Sequence, residues 1–135
     1  MSTEQNSYKT IMLPLRKAKL DPIRVENPAY PGTPDINYLH GWIEVKVVKK
    51  WPKDETAVVL VPHFTPQQRV WLRRRTEAGG EAYMLLKIGQ SWLLFDGKTA
   101  AEIVGRAPRN QLLSSAIQHW ERGLNGKELV KCLTS

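Results

Sequence analysis

The sequence predicts a single α/β domain, residues 1–135, with a mixed central β-sheet flanked by helices. Three observations carry that expectation. Two pairs of strand-like segments, Asp35 to Leu39 with Trp42 to Lys49 and Ala82 to Ile88 with Ser91 to Phe95, are each joined by a tight turn containing glycine. A capped helix opens between the pairs at Thr65. Helical spacing of apolar residues recurs near both ends of the chain.

Taken in order, Tyr8, Ile11, Met12 and Leu15 share one side of a helix running from about Thr3 to Lys19, which Pro14 is expected to kink or end. The segment from Pro28 to Pro34 holds three prolines and a glycine, so it cannot continue a helix. It reads as a shaped loop that delivers Asp35 to the first strand. His40-Gly41 turns that strand into the next. Lys50 to Pro62 reads as a protruding loop or, at Val58 to Val61, an added strand. Thr65 can cap the helix that follows, Pro66 suits its first position and Gln68 completes a capping box. Gly79-Gly80 ends it, and Gly89-Gln90 joins the second strand pair.

After these strands, Thr99 to Val104 and Gln111 to Leu124 read as helices. The second carries Leu112, Leu113, Ala116, Ile117 and Trp120 as an apolar stripe, core in the plainer reading and a dimer surface in the sharper one. A short helix around Lys127 to Leu133 closes the domain.

Composition bounds the partners. The 135 residues are 41% hydrophobic, enough for a real core, and 20 basic against 13 acidic residues give a net charge of +7. That surplus favours a polyanion and a salt-sensitive encounter with it. The one cysteine, Cys132, excludes an intrachain disulfide and fits a reducing compartment. The polar start lacks the order of a secretion signal, and no apolar run has the length of a membrane span. A cytoplasmic protein with no membrane partner is expected. His40, His63 and His119 lack metal-ligand spacing, and no glycine-rich phosphate loop precedes a helix.

The chemistry concentrates between Pro34 and Lys46. Side chains on a strand alternate between faces, so Glu44 and Lys46 point the same way. Antiparallel pairing through His40-Gly41 brings Asp35 alongside Glu44. Two carboxylates and an ammonium then share a small volume. Paired carboxylates bind a hard cation such as Mg²⁺, which clamps phosphate oxygens, while a nearby ammonium eases formation of hydroxide and stabilises charge on phosphorus. The plainer alternative is that Glu44 and Lys46 face solvent on an edge strand, and that Asp35 is a turn residue after Pro34.

Gly32-Thr33-Pro34-Asp35 with Ile43-Glu44-Val45-Lys46 resembles the PD-(D/E)XK nucleases, particularly the small branch of virus-type replication-repair nucleases and archaeal or phage Holliday junction resolvases. The resemblance runs from about Arg24 to Phe95. It takes in Arg24-Val25-Glu26-Asn27 and the helix start Thr65 to Leu72, where Gln68 and Trp71 match the branch's Gln and Trp. It implies a restriction-endonuclease-like fold and hydrolysis of DNA to a 5′-phosphate and a 3′-hydroxyl. It also implies Mg²⁺, with Mn²⁺ as substitute, held by Asp35, Glu44 and the Val45 carbonyl, with Lys46 assisting the water. An acid on the first helix often completes such sites; Glu4 stands there, but Glu26 lies closer to the motif and is preferred, its alternative being a partner for Arg24. Gln68 has two readings, orienting water or phosphate, as the resemblance implies, and capping its helix.

Arg24, Lys49, Lys50, Arg69 and Arg73 are the candidate phosphate contacts, a solvated basic face being the alternative. A chain this small without a sequence-reading module is expected to read DNA shape, and a two-fold homodimer suits paired cuts at a junction. If the chain is phage-encoded, it acts in the host cytoplasm. Three other readings stay open: a single-strand or flap nuclease, a nucleic-acid-binding module without catalysis, and an accessory protein docking through the Trp120 helix.

Overall fold

A computed structural model describes residues 3–135, with side chains from Asn6 onward. The elements are α1 (Thr3–Lys17), β1 (Ile23–Arg24), β2 (Ile36–Tyr38), β3 (Gly41–Val48), α2 (Pro66–Glu77), β4 (Glu81–Ile88), β5 (Ser91–Asp96), α3 (Gly97–Ile103), α4 (Arg109–Ser115), β6 (Gln118–Trp120) and α5 (Gly126–Thr134). They form one α/β architecture. The six strands lie in sequence order, β3 and β4 parallel and every other neighbour antiparallel. A parallel pair needs a crossover, and α2 supplies it.

Strand alternation divides the apolar residues between two cores. On one face Ile36, Ile43, Val45 and Leu85 pack with Ile11 and Leu15 of α1 and Leu129 of α5. On the other, Met84, Leu86 and Phe95 pack with Trp71 and Leu72 of α2, Ala100 of α3 and Leu112 of α4. β4 and β5 contribute to both, as expected of central strands covered on each side.

Two elements differ from the sequence-based expectation. Pro14 does not end α1, which runs on to Lys17. Burial of Ile11 and Leu15 outweighs the hydrogen bond proline removes near the last turn, and Gly126 leaves room for the ring, since a Cβ there would stand 2.6 Å from Pro14 Cβ. The helix predicted over Gln111 to Leu124 is instead α4 followed by β6. Ile117 N–H donates to Leu94 O at 2.7 Å, drawing the chain onto the open edge of β5, and Trp120 pairs with Trp92. Trp120 is buried in the core on the α1 side, so it offers no docking helix.

The stretch after β3 has an exposed part, residues 53–56, and is tied down at its far end. Val59 is buried and its N–H donates to Ala107 O, while Val58 forms an isolated bridge with Pro108. Among the described residues, no helix is long and apolar enough to cross a membrane.

Candidate active site

β2 and β3 pair in the register Ile36 to Ile43, which sets Asp35 beside Glu44 one step beyond the last pair. The half-buried Asp35 takes over where the ladder ends: its Oδ2 accepts the Val45 N–H at 2.9 Å. N–H and C=O of one extended residue project to the same side, so the Val45 carbonyl faces this gap past the end of β2. A loop glycine holds the approach. Gly32 has φ of 94°, and a Cβ on it would come within 2.6 Å of the Gln67 carbonyl oxygen. Only glycine lets the Gly32 to Asp35 loop lie against the first turn of α2.

Glu44 is 1% exposed, the one buried acid or base among the described residues. β3 is the third of six strands, which removes the solvent-facing edge reading. Both carboxylate oxygens of Glu44 are buried without a hydrogen-bond donor. Lys46, two residues on and on the same face, brings its Nζ to 3.6 Å from Glu44 Oε2 and donates to the His63 carbonyl at 2.9 Å. His63 has φ of 66°, an uncommon conformation for a side chain larger than glycine.

Burial pushes the Glu44 carboxyl well above the usual glutamate range, and the Asp35 carboxyl beside it pushes the same way; the Lys46 ammonium opposes both. A buried carboxylate with no donors is costly. Such a group calls for an explanation, and one is a bound cation. Two carboxyls and a main-chain carbonyl make a hard oxygen donor set, which fits Mg²⁺ or Mn²⁺.

The remaining candidates divide. Glu26 is exposed, and no third acid or histidine joins Asp35 and Glu44 in a three-ligand cluster among the described residues. The Glu4 side chain lies outside the described residues. Gln68 spends its Oε1 on the Thr65 N–H at 2.9 Å while Thr65 Oγ1 accepts the Gln68 N–H, so the capping box is formed in full and the Gln68 amide nitrogen has no partner in it. Arg24 covers the Tyr8 ring, 3.3 Å from its centroid. Lys49 and Lys50 are exposed just past β3, and Arg73 is exposed with Glu77 at 3.8 Å. Arg69 turns inward, stacking on Phe64 and donating to the Ala101 carbonyl at 3.0 Å. Burial, with Arg106 nearby, lowers its pKa. It therefore braces α2 against α3.

Sequence reasoning missed a cleft beside this site. It has a volume of about 530 Å³ and is lined by Asn27, Tyr30, Trp42, Trp71, Arg74 and Arg75 with Thr33 and Ala78. Trp42 lies two residues before Glu44, so strand alternation puts it in the same row as Glu44 and Lys46. That spacing was the available signal. In comparison with known proteins, no family model matches this chain and no curated protein matches it.

Proposed function

We propose that this chain is a metal-dependent DNA endonuclease. The carrying observation is Glu44: a buried carboxylate with no hydrogen bond to either oxygen, next to Asp35 and 3.6 Å from the Lys46 ammonium. Asp35, Glu44 and the Val45 carbonyl would hold the cation. A divalent ion there supplies Lewis acidity towards a phosphate oxygen and lowers the pKa of water. Lys46, held by His63, is placed to orient the attacking water and to offset negative charge growing on phosphorus. The uncapped amide nitrogen of Gln68 can donate to a phosphate oxygen at the start of α2, where helix amides favour an anion.

The order helix, three antiparallel strands, crossover helix and parallel strand supports a restriction-endonuclease-like reading. The motif resemblance supports the same reading, together with a phage-type enzyme acting in the cytoplasm on branched DNA. A surplus of basic charge supports DNA as the polyanion. Paired cuts at a four-way junction call for a homodimer, whose two-fold axis would relate two copies of this site.

Cleavage of labelled four-way junction, flap, single strand and linear duplex should be compared in Mg²⁺, with wild type and Lys46→Ala. The expected result is preferential cutting of the junction, abolished in Lys46→Ala with DNA binding retained. A flap or single-strand preference would replace the resolvase assignment. Intact cutting by Lys46→Ala would refute its role, and binding without cutting in either Mg²⁺ or Mn²⁺ would leave a non-catalytic module.

A further inference from the structure

The cleft between the 27–33 loop and the C-terminal half of α2 lies beside the carboxylate pair, and its floor is Trp71, the edge of the core on the α2 side. Its volume of about 530 Å³ lies in the roughly 300–1,000 Å³ range of small-ligand clefts. Three aromatic rings meet there. Trp42 and Trp71 stand edge to face with centroids 5.3 Å apart, and Tyr30, half exposed on the loop, brings its hydroxyl to 3.4 Å from Arg74 Nη1. Arg75 lies over the Trp71 ring, 4.4 Å from its centroid.

Charge in the cleft is of one sign. Arg74 and Arg75 line it, no acidic side chain does, and neither arginine has a carboxylate partner among the described residues. The open ring of Tyr30 and the partly buried Trp42, beside guanidiniums without carboxylate partners, offer what an unstacked base and its phosphate require, while Trp71 is buried beneath Arg75. A duplex presents stacked, paired bases and cannot put a base between these groups without extruding it.

Position ties the cleft to the proposed chemistry. Trp42 precedes Glu44 by two strand residues on one face, about 7 Å along β3. That distance is roughly two stacked nucleotide steps at 3.4 Å each. On the loop side, Thr33 lines the cleft and stands two residues ahead of Asp35.

From this arrangement we infer that the cleft between Tyr30, Trp42, Trp71 and the Arg74–Arg75 pair binds an unpaired nucleotide of the DNA next to the phosphate to be cut. The inference rests on reading Asp35, Glu44 and Lys46 as a nuclease site, and it names the feature that site selects. Flaps, gaps and opened branch points present unpaired nucleotides, so the cleft favours such DNA over linear duplex. Stacking is tolerant of base identity, which suits an enzyme that reads shape.

The test uses the full chain in EDTA, following tryptophan fluorescence while a short oligothymidylate is added, with a hairpin duplex of the same phosphate count as comparison. The single strand is expected to quench saturably and more strongly than the duplex. Tyr30→Ala should weaken single-strand binding about tenfold, the scale of one lost base–aromatic stack, and Tyr30→Phe should restore it. Arg74→Ala should weaken binding and flatten its salt dependence. Tyr30 and Arg74 are surface residues, and circular dichroism verifies that each variant is folded. Unchanged affinity in folded Tyr30→Ala, or no quenching by the single strand, would overturn the inference. Because cutting is not read in EDTA, these outcomes bear on the cleft alone, whereas failure to cut in Mg²⁺ bears on the nuclease site.

Discussion

The two faces of β3 do opposite work. Ile43 and Val45 point to the α1 side, where they are buried among Ile11, Leu15, Ile36 and Leu85 and leave no polar group to satisfy. Trp42, Glu44 and Lys46 point to the α2 side, where the strand carries a buried carboxylate whose two oxygens have no donor. One face stabilises the sheet through apolar burial. The other buries an ionisable group at a cost in stability, and a perturbed group in such a place is a candidate functional site. Along β3 the candidate site residues Glu44 and Lys46 alternate with the buried Ile43 and Val45.

The largest effect that sharpens this contrast is Glu44→Gln, which keeps the shape of the side chain and removes its charge. Cleavage of junction DNA in Mg²⁺ should fall about a thousandfold, the upper scale for losing one preorganised electrostatic group. Circular dichroism should be unchanged. On the opposite face Ile43→Ala should cost about 3 kcal/mol in urea unfolding, from lost burial and the cavity left behind. If the two faces were alike, Glu44→Gln would destabilise as Ile43→Ala does, and that result would break the comparison.

Gly32→Ala comes next, at about 2 kcal/mol, because the substitution combines a positive φ with a close approach to the Gln67 carbonyl. It should also lower cleavage, since the same loop carries Asp35. Equal unfolding midpoints for Gly32→Ala and wild type would show that the loop does not need to touch α2.

A pH series separates the faces without touching the core. The folded-state pKa of Glu44 is raised, so the stability tied to its neutral form is complete below the unfolded glutamate value of about 4.3 and is lost as pH rises through the higher folded value. Wild type and Glu44→Gln should therefore melt alike near pH 4, and the variant should melt higher at pH 8 without metal. Adding Mg²⁺ at pH 8 should raise the midpoint of wild type only. A constant difference across the series would mean that Glu44 does not titrate as argued. The smallest effect is Thr65→Ala, about 1 kcal/mol for the lost cap, monitored by urea unfolding.

Much of this was legible in the sequence because it depends on short-range rules. The turn at His40-Gly41 fixes the register that places Asp35 next to Glu44, and strand alternation puts Glu44 and Lys46 on one face. The Thr65, Pro66 and Gln68 signature gives the start of α2 to the residue. What escaped depends on contacts distant in sequence. β6 was hidden by helical spacing of Leu112, Leu113, Ala116, Ile117 and Trp120, and the open edge of β5 decided against that spacing. β1, with two residues, carries too little pattern to be seen. The inward turn of Arg69 depends on the Ala101 carbonyl, 32 residues away, and the hold on Lys46 depends on a main-chain carbonyl that has no sequence signature. Burial of Glu44 depends on packing between elements distant in sequence, which no motif states.

The most direct test of the central claim, that Glu44 is kept buried without a hydrogen-bond donor to hold a divalent cation, is Mn²⁺ binding followed by electron paramagnetic resonance at pH 8. Wild type and Glu44→Gln would be titrated under identical conditions without DNA. The account expects saturable loss of the free-ion signal with wild type and none with Glu44→Gln. Equal binding by both proteins, or none by either, would contradict it.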